Sequence, residues 1–277
     1  MIESSAAKRF ANTQAVSELF IEFDGEQLAV STDDPGIHEF LTESFAAMLV
    51  SSQHRGLGRL EFMRSPTGYS VRGGRGTDYV DPVQYLFELV KDEILYCFTT
   101  ARTDLMWVHA GGVERDGKAI LFAGPSGNGK STMVTLLCER GWRFLSDDIA
   151  PIRMNADEVL PFPQAPRRRV HPGESLAPEN IGILLRESVA IDPLQIQRGA
   201  TPIGGIVFPV FQAGAVAGLE RVPAGDAALK LIRDCTNFAD HKAAAVSRAV
   251  ELARTIPVYG LTYSTGPDAQ SLLDLRL

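Results

Sequence analysis

Only three cysteines stand among the 277 residues, at Cys97, Cys138 and Cys235. Their number is odd and none has C-x-x-C spacing, which argues against a disulfide framework or a zinc site. All three lie in apolar or helical contexts and read as buried thiols. Long apolar runs are missing too: none approaches the roughly 18 residues of a membrane span. The N-terminal stretch, with Glu3 among small polar residues, lacks a signal-peptide pattern. A soluble cytoplasmic protein with no membrane partner is expected. Basic charge is scarce: 27 Lys and Arg face 34 Asp and Glu, a net charge of −7. That balance argues against bulk nucleic-acid binding. No internal repeat or low-complexity tract breaks the chain. What is present is an apolar share of 45%, enough for a substantial core.

Periodicity predicts an α/β chain. Residues 1 to 15 read as a mobile polar start. Leu19–Phe23 and Gln27–Val30 form a hairpin around Asp24-Gly25, and residues 36 to 50 have helical spacing. Arg59–Met63 and Tyr69–Arg72 form a second hairpin around Pro66-Thr67-Gly68. Asp81-Pro82 opens a helix to about Thr100. Met106–Ala110 and Gly112–Glu114 read as a strand or bent pair, and Asp116-Gly117 as a hairpin turn. Trp142–Leu145 is a strand, and Ile149–Arg153 stays extended. Residues 160 to 173 read as a loop and Ile203–Val210 as a strand. Helices over Asp226–Cys235 and Lys242–Thr255, the strand Val258–Tyr263 and a short helix after Pro267 complete the chain. Two parts are expected: a small α/β region over residues 1–100 and a nucleotide-binding α/β core over 101–277.

Gly124-Pro125-Ser126-Gly127-Asn128-Gly129-Lys130-Ser131 fits G-x-x-x-x-G-K-[ST] at every fixed position. The apolar run Ala119–Ala123 precedes it as a strand, and Ser131–Arg140 follows as a helix stopped by Gly141. Glycines let a backbone close on a polyphosphate, and inward N–H groups with a helix N-terminus form an anion nest. Gly124, Ser126, Gly127, Asn128, Gly129, Lys130, Ser131 and Thr132 are therefore the candidate nucleotide-binding residues. Lys130 would grip the β- and γ-phosphates, and Ser131 would offer its hydroxyl to Mg²⁺. ATP and Mg²⁺ are the expected cofactors.

Asp147 and Asp148 stand where the strand after this helix ends. In open α/β sheets that end faces the ligand. Neighbouring residues on a strand point to opposite faces, so one carboxylate could act as base and the other hold metal. His109, beside Gly111-Gly112, is either a satisfied structural histidine or a site residue. Arg167 and Arg168, in a proline-flanked run of three arginines before His171, would neutralise a phosphoryl group or hold an acidic acceptor, or form a solvated loop.

His109-Ala110-Gly111-Gly112-Val113, Gly124–Thr132 and Gly141–Asp148 together resemble the catalytic domain of the HPr kinase/phosphorylase family. The likeness is to its short relatives, which include kinases that phosphorylate lasso-type precursor peptides on serine. It spans roughly residues 105 to 153, with looser echoes at Ile206–Pro209 and Pro257–Tyr263. It implies a phosphate-loop core of the HPr kinase C-terminal type and transfer to a serine hydroxyl of a peptide or small protein. Lys130 would be catalytic, Asp147 the base, Asp148 with Ser131 the metal ligands, and His109 a neighbour that tunes the pair. The two aspartates could exchange these roles. The family's Glu-x-Arg-Gly-x-Gly motif is missing, with only a faint echo at Glu179–Gly182, so phosphorylase activity is not implied. A kinase for free serine or a similar metabolite, and a nucleotide-binding regulator without transfer, remain alternatives. A homo-oligomer is left open. The N-terminal hairpins would either dock a peptide or cover an apolar face.

Overall fold

The computed structural model describes residues 15–51, 56–76, 78–80, 86–169, 186–189 and 191–276. The chain divides into two compact units: Met1–Thr42 with Leu49–Cys97, and Glu43–Met48 with Phe98–Leu277. The first unit is built on β1 (Ser17–Phe23), β2 (Glu26–Thr32), α1 (Pro35–Ser44), β3 (Leu49–Val50), β4 (Gly56–Ser65), β5 (Gly68–Arg72) and β6 (Asp78–Val80). Its strands lie in the order β3-β1-β2-β4-β5-β6. Among the described strands of this unit only β2 and β4 pair in parallel, with α1 in the connection between them. Asp34 fixes where that helix starts, its Oδ1 accepting from the N–H groups of Gly36 and Ile37 at 2.7 and 3.1 Å. Ile37, Phe40 and Leu41 turn into the core of this unit.

The helical spacing over residues 36 to 50 overshoots: α1 stops at Ser44, Ala46–Met48 is a single 3₁₀ turn, and Leu49–Val50 is strand. Leu49 and Val50 pair with Ile21 and Phe20, so the edge of the sheet supplies backbone partners that a longer helix would forgo. α2 (Leu86–Ala101) follows, and the division between the units falls inside it. Its expected start at Asp81-Pro82, the polar start before residue 15, and both His171 and Glu179–Gly182 lie outside the described residues.

The second unit opens with β7 (Leu105–Val108), β8 (Ala110–Arg115), β9 (Lys118–Ala123), α3 (Lys130–Cys138), β10 (Arg143–Ser146), β11 (Ala150–Arg153) and β12 (Glu158–Val159). A ribbon of β13 (Arg167–Arg169) and β14 (Arg186–Ser188) comes next. Then follow β15 (Thr201–Phe211), β16 (Gly218–Arg221), α4 (Ala224–Arg233), α5 (Phe238–His241), α6 (Ala243–Thr255), β17 (Val258–Tyr263) and α7 (Gly266–Arg276). The main sheet runs β10-β8-β9-β15-β12-β11-β7, with β17 on β15 and β16 on β17. β9, β15 and β17 are parallel. β8 is antiparallel to β9, and β10 to β8, so β10 points the same way as β9. The C-terminal ends of β9, β10, β15 and β17 therefore share one end of the sheet.

Helices cover both faces. Ala227, Leu231, Ala249 and Leu252 of α4 and α6 pack on one. Met133, Val134 and Leu137 of α3 and Ala269 and Leu273 of α7 pack on the other. The fold is mixed α/β. Of the loop expected over residues 160 to 173, the described part, 160–169, is not a simple loop: Phe162 bridges to Ser146, and Arg167–Arg169 is strand. Phe162 is fully buried between Trp107 and Phe98, at 5.8 and 6.0 Å between ring centroids, and this aromatic contact anchors the segment.

Candidate functional site

Three segments meet at the shared sheet end. β9 leads into the glycine loop, and Ala110, the first residue of β8, pairs with Ala123, its last. Ser146 pairs with Gly112 on the far side of β8. The loop after β9, the bend at His109 and the aspartates after β10 are thereby set side by side.

The loop needs its glycines. Gly124, Gly127 and Gly129 have φ of 127°, 92° and 90°, in the range side chains resist. Gly129 is also the N-cap of α3, so no side chain caps that helix. Its first N–H groups are left to whatever binds in front of them. A Cβ on Gly129 would overlap the Tyr263 hydroxyl, which donates to the carbonyl of Asn128 at 3.4 Å. Ser126 and Thr132 are exposed, and Asn128 is half-buried.

Lys130 is buried, and its Nζ donates to the carbonyls of Gly124 and Pro125 at 2.7 and 3.2 Å. Nζ also lies 3.0 Å from His109 Nε2. The other ring nitrogen, Nδ1, lies 2.8 Å from the Asp148 carbonyl and 3.2 Å from its Oδ1. A carbonyl only accepts, so Nδ1 donates to it and Nε2 accepts a hydrogen bond from the Lys130 ammonium. His109 thus links Lys130 to Asp148. Burial pulls the Lys130 ammonium below its ordinary value, opposed by the charges of Asp148, Asp147 and Asp234.

Ser131 Oγ donates to Asp147 Oδ2 at 3.1 Å. Asp147 is buried, whereas the Asp148 side chain is 36% exposed. The two do not diverge by strand alternation, because the strand has ended: Asp148 has φ of 74° and the chain turns there. His109 was expected on a strand, but it occupies the break between β7 and β8. Its N–H donates to the Asp234 carbonyl at 2.7 Å, which explains the break. Gly111 gives close approach to the helix: a Cβ there would come within 2.8 Å of Val134 in α3.

The structure therefore brings Lys130, Ser131, Asp147, Asp148 and His109 together. It joins Ser131 to Asp147. Arg167 and Arg168 are placed as backbone in β13, and their side chains lie outside the described residues. Tyr263 and Asp234 were not singled out from the sequence. Each is over 100 residues from the loop, and only the parallel order of β9, β15 and β17 would have pointed to Tyr263.

Among the described residues, no group of three His, Cys, Asp or Glu side chains is arranged to hold a metal. A magnesium ion does not need one: it keeps waters and phosphate oxygens, and takes one or two protein oxygens. The Ser131 hydroxyl beside the Asp147 carboxylate fits that requirement. Among the described residues, no helix is long and apolar enough to cross a membrane.

No family model and no curated protein matches the chain. Among solved structures it is similar to the Hpr(Ser) kinase/phosphatase from Coxiella burnetii. The two are 11% identical over 61% of this chain and 91% of that one, with a TM-score of 0.31. An overlap that loose establishes neither activity nor substrate.

Proposed function

We propose that the chain is an ATP- and Mg²⁺-dependent kinase that transfers a phosphoryl group to a serine hydroxyl of a peptide or small protein. One observation carries this reading: the glycine loop's Lys130 and Ser131 stand against His109 and Asp147, with Asp148 on the same histidine. A loop that only sensed a nucleotide would not need two acids facing it.

The uncapped N-terminus of α3 and the loop amides receive the polyphosphate, and Lys130 leaves its loop carbonyls for the phosphate oxygens. Ser131 and Asp147 would hold Mg²⁺, which supplies charge neutralisation at the β- and γ-phosphates when bound. Asp148 accepts the serine proton as the hydroxyl oxygen bonds to the γ-phosphorus and the bond to the β-phosphate oxygen breaks. ADP leaves with that electron pair. His109 positions Asp148 through Nδ1. This assigns the base to Asp148 and the metal to Asp147, the exchange that adjacency left open. Arg167 and Arg168 remain candidates for holding the acceptor or the transferring group.

Incubation with ATP and candidate serine peptides, read by mass spectrometry, tests this. Lys130→Ala abolishes nucleotide binding and transfer while circular dichroism is unchanged. Asp148→Asn keeps ATP binding and lowers transfer by roughly 10²–10⁴-fold. Asparagine tolerates the positive φ at this position, so the fold survives. Wild-type rates in Asp148→Asn would remove the base assignment; wild-type rates in Lys130→Ala would remove the kinase.

A further inference from the structure

The acids occupy only one side of the glycine loop. His109 stands just before the first residue of β8, and Asp147 and Asp148 just after β10, both strands on one side of β9, whereas β15 and β17 lie on its other side. A triphosphate that turns its γ-phosphate toward the acids points its nucleoside away from them, and β15 and β17 lie on that side of β9. Neighbouring strands are about 5 Å apart, so β17 lies about 10 Å from β9, comparable to the reach of a triphosphate tail.

Aromatic surface stands at that place. β15 outruns its pairing with β9, which ends at Val207, and continues to Phe211. Phe211 shares a sheet face with Val207, the face α3 covers. It is 56% exposed, a large apolar ring in water at the last position of the strand. It is not loose. Its ring meets Tyr263 edge-on, at 5.7 Å and 75°. Tyr263 is 4% exposed and in turn reaches the Asn128 carbonyl in the glycine loop. The chain just beyond is pinned as well: Gln212 N–H donates to the Tyr263 carbonyl at 2.8 Å, and Ser264 Oγ to the Ala215 carbonyl at 2.7 Å. A rigid exposed ring, tied through one buried tyrosine to the phosphate loop, is suited to stacking on a flat heterocycle.

We propose that Phe211, backed by Tyr263, is the seat of the nucleobase of the donor nucleotide. The proposal rests on the phosphate-loop reading above. It adds a specificity element that tells a nucleoside triphosphate from a bare polyphosphate.

Calorimetry with ATP and with inorganic tripolyphosphate tests it on the full chain. Phe211→Ala weakens ATP binding about tenfold and leaves tripolyphosphate binding at its wild-type value, while Phe211→Trp keeps ATP affinity. Unchanged ATP affinity in Phe211→Ala, with tripolyphosphate still bound, overturns the base seat alone. Equal weakening of both ligands makes Phe211 a support of the loop and also overturns it. Failure of the wild-type chain to bind either ligand takes away the phosphate site, and the base seat with it.

Discussion

Gly129 carries two demands at once. Its φ of 90° disfavours any side chain, and a Cβ would occupy the place of the Tyr263 hydroxyl. Gly129→Ala is expected to destabilise the fold by about 1–3 kcal/mol and to weaken ATP binding more than that loss explains. Urea denaturation beside calorimetric titration separates the two effects. An alanine variant with wild-type stability would show that Tyr263 yields freely. The same scale holds the clearest contrast between what sequence shows and what it hides. Lys130 and Ser131 were legible because a fixed backbone path dictates glycine at fixed offsets. The division of labour between Asp147 and Asp148 was not. It depends on a turn at φ of 74°, and strand alternation cannot foresee where a strand stops.

At the scale of the element, Asp34 sets α1. Besides the two N–H groups of the first turn, it accepts from the Tyr69 hydroxyl at 2.6 Å and Arg64 Nε at 2.7 Å. Burial pushes its carboxyl up, but the bonds from Tyr69, Arg64 and Ile37 outweigh it and the net direction is down. A lowered acid binds its proton more tightly in the unfolded chain than in the folded one. Its contribution is therefore complete above the ordinary value of 3.8 and fades as pH falls below it. Asp34→Ala is expected to cost about 1–3 kcal/mol at neutral pH, and less in acid, by urea denaturation at both pH values. An equal loss at both would show that the ionised carboxylate is not what matters. The hairpins of this unit were readable from turn residues and alternation. The end of α1 was not, because Leu49 and Val50 answer to β1, far away in sequence.

Across the whole molecule, the thiols are shifted in one direction, although only Cys138 and Cys235 are buried and Cys97, expected to be, is half-buried. Burial raises Cys97 to about 11, with the Glu93 charge adding to it. Burial likewise raises Cys138 to about 12 and Cys235 to about 11. Folded thiols keep protons that the unfolded chain releases from about 9.0, so stability is full below that value and declines as pH climbs toward 11. The native protein is expected to resist thiol reagents at pH 8 and to react promptly once denatured, read by absorbance. Rapid labelling of the folded chain would refute it. The sheet order was the least legible feature at this scale. Tyr263 reaches the loop, Asp234 reaches His109 and Phe211 reaches Tyr263 only through pairings and packing that span the second unit, and no local pattern announces them.

The hairpin of β8 and β9 turns at Asp116-Gly117, at the opposite end of these strands from the glycine loop. A fluorescent reporter or affinity handle spliced into that turn would leave every reacting atom unshielded, and would serve as an anchoring point for immobilised assays.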